Sequence, residues 1–430
     1  MLEKIIYKIF GKEVLDMERH IMCIDLKSFF ASCECVERKI NPFTTPLVVA
    51  NPNQGKGAIT LAITPYLKSK GIKSRTRLYE IPPWIKYEIV PPRMSLYIKK
   101  SKEVVSIYLD FVSEEDLHIY SVDECFLDVT SYLKMYGMSD KDLAKRILKT
   151  ITEKTGLTAN CGIGPNMLLA KVAMDTEAKK YKDGIAKWTY DDIPTKLWTI
   201  TPLSKMWSIG PRMEVRLNAM GMYYIGDIAR YDKKILRKKF GIIGEELWEH
   251  ANGIDESVIS DFKRLPKSAS YSNSQVLFKD YDGNNIKIII RETIEVVCRR
   301  LRKNYKQASI IGLGIGYSID VGGGFYHSIK VNPTFDEEEF FFVCTNIFDR
   351  FYNDMPIRKV SITAGGLIDD ASIQLNLFSN VKTMEDNKKL NETVDKIKEK
   401  YGNNSIIKAS NLLPDSTAID RNGKIGGHSA

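Results

Sequence analysis

The stretch YSVDECFLDV, residues 120–129, places two adjacent carboxylates, Asp123 and Glu124, between two apolar runs. Adjacent side chains of a regular strand point to opposite faces, so both acids can serve one site only if the chain turns there. The pattern therefore predicts a hairpin in which residues 118–122 pair with residues 126–129 and the acids lie at the tip. Crowded carboxylates are costly without a cation, and Mg²⁺ takes oxygen ligands of this kind.

A third carboxylate, Asp25, comes near the end of an apolar run. The segment MCIDL (residues 22–26) is followed by KSFFASCE (residues 27–34), which predicts a buried strand that leads into a helix. An isolated Asp in an apolar strand is more often a hydrogen-bonded core residue. Together with Asp123 and Glu124, however, Asp25 suits a two-metal phosphoryl-transfer site, where two ions align the attacking and leaving oxygens.

Two of these segments resemble the motifs of a known family. IDLKSFFASCE (residues 24–34) and YSVDE (residues 120–124) are similar to the active-site motifs of the Y-family, or translesion, DNA polymerases, especially the UmuC-like branch of Gram-positive bacteria, their phages and plasmids. The resemblance implies an error-prone, template-directed enzyme that adds deoxynucleotides to a primer 3′-hydroxyl in an SOS-type response to DNA damage. The catalytic residues and ligands of two Mg²⁺ ions that it implies are Asp25, Asp123 and Glu124, with the backbone carbonyl of Leu26 as a further ligand.

The domain organisation follows from the sequence pattern and the resemblance together. Helical spacing at 140–155 and 166–179, with a strand predicted at 157–163, indicates an α+β, ferredoxin-like region. The resemblance implies a multidomain right-hand polymerase. Its predicted regions are an N-terminal lead-in (1–19), a palm (20–33 and 95–187), small fingers (34–94), a helix-hairpin-helix thumb (188–262), a linker (263–270), an α/β little finger (271–368) and a C-terminal tail (369–430) with one amphipathic helix that carries Leu390, Val394 and Ile397.

The resemblance assigns an aromatic pair to the sugar of the incoming nucleotide. Phe30, five residues after Asp25, lies where the family carries a steric gate, an aromatic ring that leaves no room for a 2′-hydroxyl. Phe29 belongs to the same substrate-binding group, although its simpler interpretation is a core residue of the helix.

Lysines are assigned to the triphosphate in the same way. Lys68 takes a phosphate-binding position of the family, although Pro65 departs from the pattern and lysine lacks the bidentate fork of arginine. The second phosphate-binding residue is either Lys179 or Lys180, because the spacing is shifted by one residue relative to some relatives.

A glycine-containing segment indicates a DNA contact. WSIGPR (residues 207–212) and MGMYYIGDI (residues 220–228) predict a helix, a glycine turn and a second helix. Glycine lets a backbone approach a phosphate, and helix N-terminal amides can bind it. The pattern resembles the thumb of the family, and a plain αα-hairpin is the simpler alternative. The residues assigned to DNA are Gly210, Arg212, Gly221 and Gly226.

Basic residues also concentrate in a helix predicted at residues 286–305. Such a patch is expected of a surface that binds a phosphate backbone, while a solvated helix face is an equally weighted alternative. The DNA-binding residues predicted here are Arg299, Arg300, Arg302 and Lys303.

The composition indicates a soluble globular protein of several domains. The 430 residues are 43% hydrophobic and 27% charged, and the net charge is +9. No apolar run is long enough to span a membrane. The seven cysteines form no C-x-x-C, which predicts reduced thiols in a cytoplasmic protein.

The segment QLNLF, residues 374–378, resembles the pentapeptide by which bacterial polymerases dock on the β sliding clamp. Its position on a predicted flexible tail suits peptide docking. The alternative is a final strand packed on the little finger. The clamp-binding residues that the resemblance implies are Gln374, Leu375, Leu377 and Phe378.

Two other functions compete with a polymerase. A non-catalytic DNA- and clamp-binding accessory protein on the same fold would have no need of the three acids. A nucleotidyl cyclase with a ferredoxin-like palm would leave the predicted thumb, basic region and clamp peptide unexplained. The partners implied by the resemblance are primer-template DNA, deoxynucleoside triphosphates and the clamp, and the need for a recombinase filament or another activator protein stays open.

Overall fold

The computed structural model describes residues 19–263, 269–369 and 381–429. The chain divides into two compact units, Met1–Arg264 with His428–Ala430, and Leu265–Gly427. Both contain strands and helices, so the predicted α+β fold is confirmed. The lead-in predicted for residues 1–19 lies, apart from Arg19, outside the described residues. No helix within the described ranges is long and apolar enough to cross a membrane.

The first unit begins with a strand and a helix, as predicted for residues 22–34. Its strands are β1 (Ile21–Leu26), β2 (Leu47–Val49), β3 (Ala62–Ile63), β4 (Glu88–Val90), β5 (Leu117–Ile119), β6 (Glu124–Asp128), β7 (Ala159–Gly164) and β8 (Ile185–Lys187). Its helices are α1 (Phe29–Glu37), α2 (Pro65–Ser69), α3 (Met94–Leu109), α4 (Thr130–Tyr136), α5 (Asp140–Thr155), α6 (Met167–Thr176), α7 (Pro211–Asn218), α8 (Ile225–Arg230), α9 (Lys233–Phe240) and α10 (Ile242–Ala251).

The largest sheet of the first unit has the strand order β5–β6–β1–β7–β8. Neighbouring strands are antiparallel except for β7 and β8, which are parallel. Strands β5 and β6 form the predicted hairpin, in which His118 pairs with Phe126. The backbone amides of Tyr120 and Ser121 both donate to the carbonyl of Glu124 at 3.0 Å and close the turn.

The two faces of this sheet are covered by different helices, because alternate residues of β1 point to opposite sides. Ile24 packs in the main core with residues of α3 and α5. Cys23 lies on the other side, where Met174 of α6 covers the sheet. Helix α6 can approach closely because an added Cβ at Gly162 of β7 would stand 2.0 Å from the carbonyl oxygen of Ala170. This packing holds one face of α6 against the side of the sheet that carries Cys23.

Two smaller assemblies complete the first unit. Strands β3, β2 and β4 form a sheet in that order beside an apolar cluster of their own. Helices α7 to α10 contribute to another cluster. The predicted helix, glycine turn and helix are confirmed as α7 and α8, between which Gly221 has a φ of +83°, a conformation that favours glycine.

The second unit is built on one antiparallel sheet of strand order β11–β10–β12–β9. Apolar residues of α11 and α12 cover one face of it. Its strands are β9 (Tyr271–Tyr281), β10 (Lys306–Tyr317), β11 (Gly324–Thr334), β12 (Ile357–Asp369) and β13 (Lys424–Ile425). The last strand of the chain, β14 (His428–Ser429), belongs to the first unit. The helices are α11 (Ile286–Lys303), α12 (Glu337–Phe351), α13 (Val381–Tyr401) and α14 (Ala418–Asn422).

The prediction of a flexible tail after residue 369 is wrong for residues 381–427. Helix α13, which contains the predicted amphipathic helix, is tied to α11 by Asp395, whose Oδ2 accepts a hydrogen bond from Arg302 Nε at 2.7 Å. Further along, buried Glu292 of α11 accepts from the amide of Thr417 at 3.1 Å and from its hydroxyl at 2.9 Å. The polar composition suggested a tail because the sequence does not show which charged residues pair with each other across the fold.

Candidate active site

The three predicted acids lie together at one end of the central sheet. Asp25 of β1 is the register partner of Glu124 of β6, and directly opposed residues of antiparallel strands share a face. Asp123 lies in the hairpin turn just before Glu124, and the carbonyl of Asp123 accepts a hydrogen bond from the amide of Leu26 at 2.9 Å. Its side chain is held by the hydroxyl of Ser121, which donates to Asp123 Oδ1 at 2.6 Å. The hairpin thus brings both neighbouring acids to the end of β1.

The electrostatics of Asp25 reflect this crowding. Burial raises the pKa of its carboxyl group to about 6, Lys179 opposes the rise, and the charges of Asp123 and Glu124 add to it. Negative charge at this point is therefore only partly compensated by the protein itself. A site with surplus negative charge and hard oxygen donors is suited to divalent cations.

A buried lysine that sequence analysis missed holds Glu124. Lys171 of α6 lies with its Nζ 2.7 Å from Glu124 Oε1 and 3.0 Å from Asp175 Oδ2. The Cys23 thiol donates to the same Glu124 oxygen at 3.1 Å. The available signal was the spacing of residues 171, 175 and 179, which fall on one face of the helix predicted at 166–179.

A second lysine, Lys179, lies near Asp25, the acid opposite Glu124. Lys179 Nζ lies 2.7 Å from Asp175 Oδ1 and 3.9 Å from Asp25 Oδ1. Charges therefore alternate along this face of the site, with Asp175 between the two lysines. Of the two lysines that the sequence left open, it is Lys179, not Lys180, for which the structure shows contacts with these acids.

The acids fit a metal in kind but not in their present arrangement. Within the part of the chain that the structure describes, no group of three His, Cys, Asp or Glu side chains is disposed to hold an ion. Glu124 Oε1 is instead bound by Lys171 and Cys23. Asp25, Asp123 and Glu124 nevertheless supply the oxygen donors that Mg²⁺ prefers, and a cation would offset the mutual repulsion of their charges.

The two aromatic residues after Asp25 differ in their surroundings. Phe29 is buried in the core, which matches its simpler interpretation. Phe30 is half-buried and stacks on Tyr97, with ring centroids 4.5 Å apart and an interplanar angle of 18°. Tyr97 was not recognised in the sequence, because its contact with Phe30 joins helices distant in the chain.

Lys68 is close enough to the acids to interact with them. Burial lowers the pKa of its ammonium group, and the charges of Asp25 and Asp123 oppose that change. Pro65, which departs from the family pattern, is the first residue of α2, where a proline is tolerated because the first amides of a helix have no intrahelical acceptor. The structure thus brings Lys68, Lys179 and the acids together.

The four residues predicted to contact DNA at α7 and α8 differ in their surroundings. Gly210 precedes α7 with open space at its Cβ position, and Arg212 is exposed. Gly221 provides the turn, as described above. Gly226 is buried in α8, its amide donates to the carbonyl of Trp198 at 3.1 Å, and a Cβ there would meet Trp198. The DNA-binding assignment of Gly226 is therefore wrong, because its backbone serves packing.

The predicted basic surface of α11 is largely occupied within the protein. The side chain of Arg302 is only 7% exposed and binds Asp395 and Glu337, so its assignment to DNA is wrong. The remaining members of the set are also engaged: Arg299 binds Asp395 and Asn403, Lys303 pairs with Glu399, and Arg300 lies over the ring of Tyr271.

The sheet of the second unit has an open face on the side away from α11 and α12, and this face was not recognised in the sequence. Register places side chains of all four strands there, on the side away from α11 and α12. Tyr326 lies across Gly312, whose added Cβ would stand 2.4 Å from the tyrosine oxygen. The side chains of this open face are Ser272, Ser274, Val276, Ile310, Tyr326, Ser328, Lys330, Lys359, Ser361 and Thr363. Two are lysines and none is acidic, which suits a phosphate backbone.

The clamp motif, Gln374, Leu375, Leu377 and Phe378, lies outside the described residues. The described elements on either side of it, β12 and α13, both belong to the second unit.

Comparison with known sequences gives three matches in chain order. The impB/mucB/samB family matches residues 24–175, the HHH motif of the IMS family matches residues 190–222, and the C-terminal domain of the impB/mucB/samB family matches residues 268–377. The first match contains all three acids, and the last extends through part of the predicted clamp motif.

Individual proteins match over nearly the whole chain. "Putative UV-damage repair protein UvrX" of Bacillus subtilis (strain 168) is 42% identical over 95% of this chain and 97% of its own length. "DNA polymerase IV 2" of the same organism is 34% identical over 96% and 99%. "DNA polymerase IV" of Pelotomaculum thermopropionicum (strain DSM 13744 / JCM 10971 / SI) is 29% identical over 94% and 98%.

Proposed function

The chain belongs to the impB/mucB/samB family of UmuC-like Y-family DNA polymerases and is a DNA-directed DNA polymerase, and we propose that it copies damaged templates by two-metal phosphoryl transfer at Asp25, Asp123 and Glu124. The observation that carries this proposal is the register of β1 and β6, which sets Asp25 opposite Glu124 with Asp123 beside them. We place this activity in the tolerance of DNA damage, as part of an SOS-type response.

The proposed metal ions are Mg²⁺, bound by the three carboxylates with the carbonyl of Leu26. When bound, they would promote attack by the primer 3′-hydroxyl and neutralise charge on the triphosphate. In the protein, Lys171 and Cys23 orient Glu124. Because these contacts already fix one oxygen of Glu124, the second oxygen is the one left for a metal.

The other side chains bind and select the nucleotide. Lys68 and Lys179 place positive charge beside the acids, where an incoming triphosphate would lie. Phe30 would close the space next to the sugar and so reject a 2′-hydroxyl. In this proposal the central sheet is the palm, β2 to β4 belong to the fingers, α7 to α10 form the thumb, and the second unit is the little finger.

Primer extension on intact and abasic templates tests the assignment. Asp123→Ala should lower nucleotide incorporation by on the order of a thousand-fold or more, because metal stabilisation of the transition state is worth several kcal/mol. Primer-template binding, measured by fluorescence anisotropy, should stay nearly unchanged. Asp110→Ala is the control, since Asp110 is an exposed acid of the same unit that pairs with Lys154. Extension by Asp123→Ala at the wild-type rate would refute the site.

We further assign the DNA contact of the second unit to its open sheet face. Lys330 and Lys359 are exposed there, whereas Arg302 and Lys303 of α11 are paired with acids. Replacing both lysines with Ala should weaken primer-template binding and reduce the slope of log K against log salt by about 1 to 2. Lys303→Ala is the matched control and should leave the slope unchanged. The opposite result would return the contact to α11.

A further inference from the structure

The residue proposed to select the sugar rests on a second aromatic ring. Phe30 of α1 stacks on Tyr97 of α3 with ring centroids 4.5 Å apart and an interplanar angle of 18°. Phe29 stands at the edge of this pair, 5.6 Å from the ring of Phe30 and 6.5 Å from that of Tyr97. One face of the Phe30 ring is therefore backed by a flat surface that belongs to another helix.

Tyr97 itself has no freedom to retreat. It is fully buried, and its hydroxyl donates to Glu34 Oε1 at 2.8 Å. Burial raises the pKa of that hydroxyl, so it stays a neutral donor. Its ring packs among the side chains of the main core. A buried aromatic ring anchored at its polar end is held in both position and orientation.

The anchor is a buried carboxylate with a complete set of partners. The side chain of Glu34 is fully buried, and Arg93 donates to it through Nε at 3.0 Å and Nη2 at 2.6 Å. Arg38 is a further donor. Burial alone would raise the pKa of Glu34, but the hydrogen bonds from Arg93, Arg38 and Tyr97 outweigh it and lower the pKa. Glu34 is thus a charged and rigid acceptor.

We propose that Tyr97 is a positioning residue for sugar selection, which holds the Phe30 ring against the incoming nucleotide. The inference rests on the proposed function. An aromatic obstacle rejects a 2′-hydroxyl only if it cannot move away when the hydroxyl arrives. Stacking on a ring that is locked through Glu34 closes the direction in which Phe30 would otherwise yield. A purely structural Tyr97 would affect stability and leave selectivity alone.

The test measures the ratio of kcat/KM for ribonucleotide to that for deoxyribonucleotide incorporation, with the purified full chain. Tyr97→Leu removes the flat surface and should raise the ratio at least about three-fold, the scale of one aromatic contact. Tyr97→Met fills more of the volume with a flexible chain and should raise it as well. Tyr97→Phe keeps the ring but removes its hydrogen bond to Glu34, so it should raise the ratio by less than Tyr97→Leu does.

Tyr108→Leu is the matched control, because Tyr108 is a fully buried tyrosine of the same helix and core. It should lower the melting temperature as much as Tyr97→Leu without changing the ratio. Phe30→Ala tests the proposed gate separately from the positioning role of Tyr97. If Phe30→Ala raises the ratio but neither Tyr97→Leu nor Tyr97→Met does, the positioning role is refuted and the proposed gate stands. If Phe30→Ala leaves the ratio unchanged, the gate and the positioning role both fail.

Discussion

Asp25 is under two opposing physical demands. Catalysis needs a carboxylate at the end of β1, whereas burial and two neighbouring acids disfavour its charge and raise its pKa from 3.8 to about 6. The folded state therefore binds the proton more tightly than the unfolded chain does. The contribution of Asp25 to stability accordingly falls as the pH rises from about 4 to about 6, and it stays low above that range.

Asp25→Asn should consequently separate activity from stability. We expect nucleotide incorporation to be nearly lost, while the free energy of unfolding of the metal-free chain at pH 7.5 rises by on the order of 2 kcal/mol. Urea unfolding in the presence of a chelator measures the second effect. Repeating it at pH 4 is the control, since Asp25 of the folded chain is then nearly uncharged and the difference should shrink. A less stable variant at pH 7.5 would mean that Lys179 compensates the charge of Asp25.

Single residues also mark what the sequence could not reveal about the site. Asp25, Asp123 and Glu124 were recognisable because each interrupts or ends an apolar run. Lys171 and Tyr97 were not, because their importance lies in contacts across the fold, with Glu124 at 2.7 Å and with the Phe30 ring at 4.5 Å between centroids. The spacing of residues 171, 175 and 179 indicates a shared helix face, but it does not show that Lys171 is buried against Glu124.

At the scale of elements, local patterning was a good guide where it was strong. The helix predicted at residues 140–155 is α5 with the same ends, where Ser139 caps the first turn and Gly156 follows the last. The hairpin of β5 and β6 followed from the need to turn two adjacent acids to one side. The distance between α6 and β7 was not predictable, since it depends on which residues of the two elements meet.

That distance is set by glycine and can be tested. Gly162→Ala would place a Cβ 2.0 Å from the carbonyl oxygen of Ala170 and 2.4 Å from the amide of Met174, and neither backbone atom can move alone. We expect α6 to be pushed from the sheet, with a loss of about 1 to 3 kcal/mol in the free energy of unfolding and a lower rate of incorporation. Gly57→Ala, at an open surface position, is the control. Wild-type stability of Gly162→Ala would show that the sheet adjusts freely.

At the scale of the whole molecule, the second unit extends further along the chain than its composition suggested. Glu292 of α11 is buried, and Thr417, on the far side of α13, donates to it through both its amide and its hydroxyl. Composition could not reveal this, because a polar segment is distinguished from a tail only by partners elsewhere in the chain. The segment that carries residues 374–378 therefore connects two elements of one unit, β12 and α13, and is not part of a free C-terminal end.

This connection sharpens the expectation for the clamp motif. Leu377 and Phe378 are proposed to fill an apolar pocket on the β sliding clamp, so replacing both with Ala should remove a few kcal/mol of binding. Clamp-dependent processivity should fall, while extension of a short primer without the clamp should stay unchanged, because tethering raises local concentration without altering chemistry. Binding to surface-immobilised clamp measures the loss of affinity, and a thermal melt of the same preparation measures any loss of stability. If the motif is instead a strand packed on the second unit, the double variant will lose melting temperature and basal activity together and will show no selective loss of clamp binding.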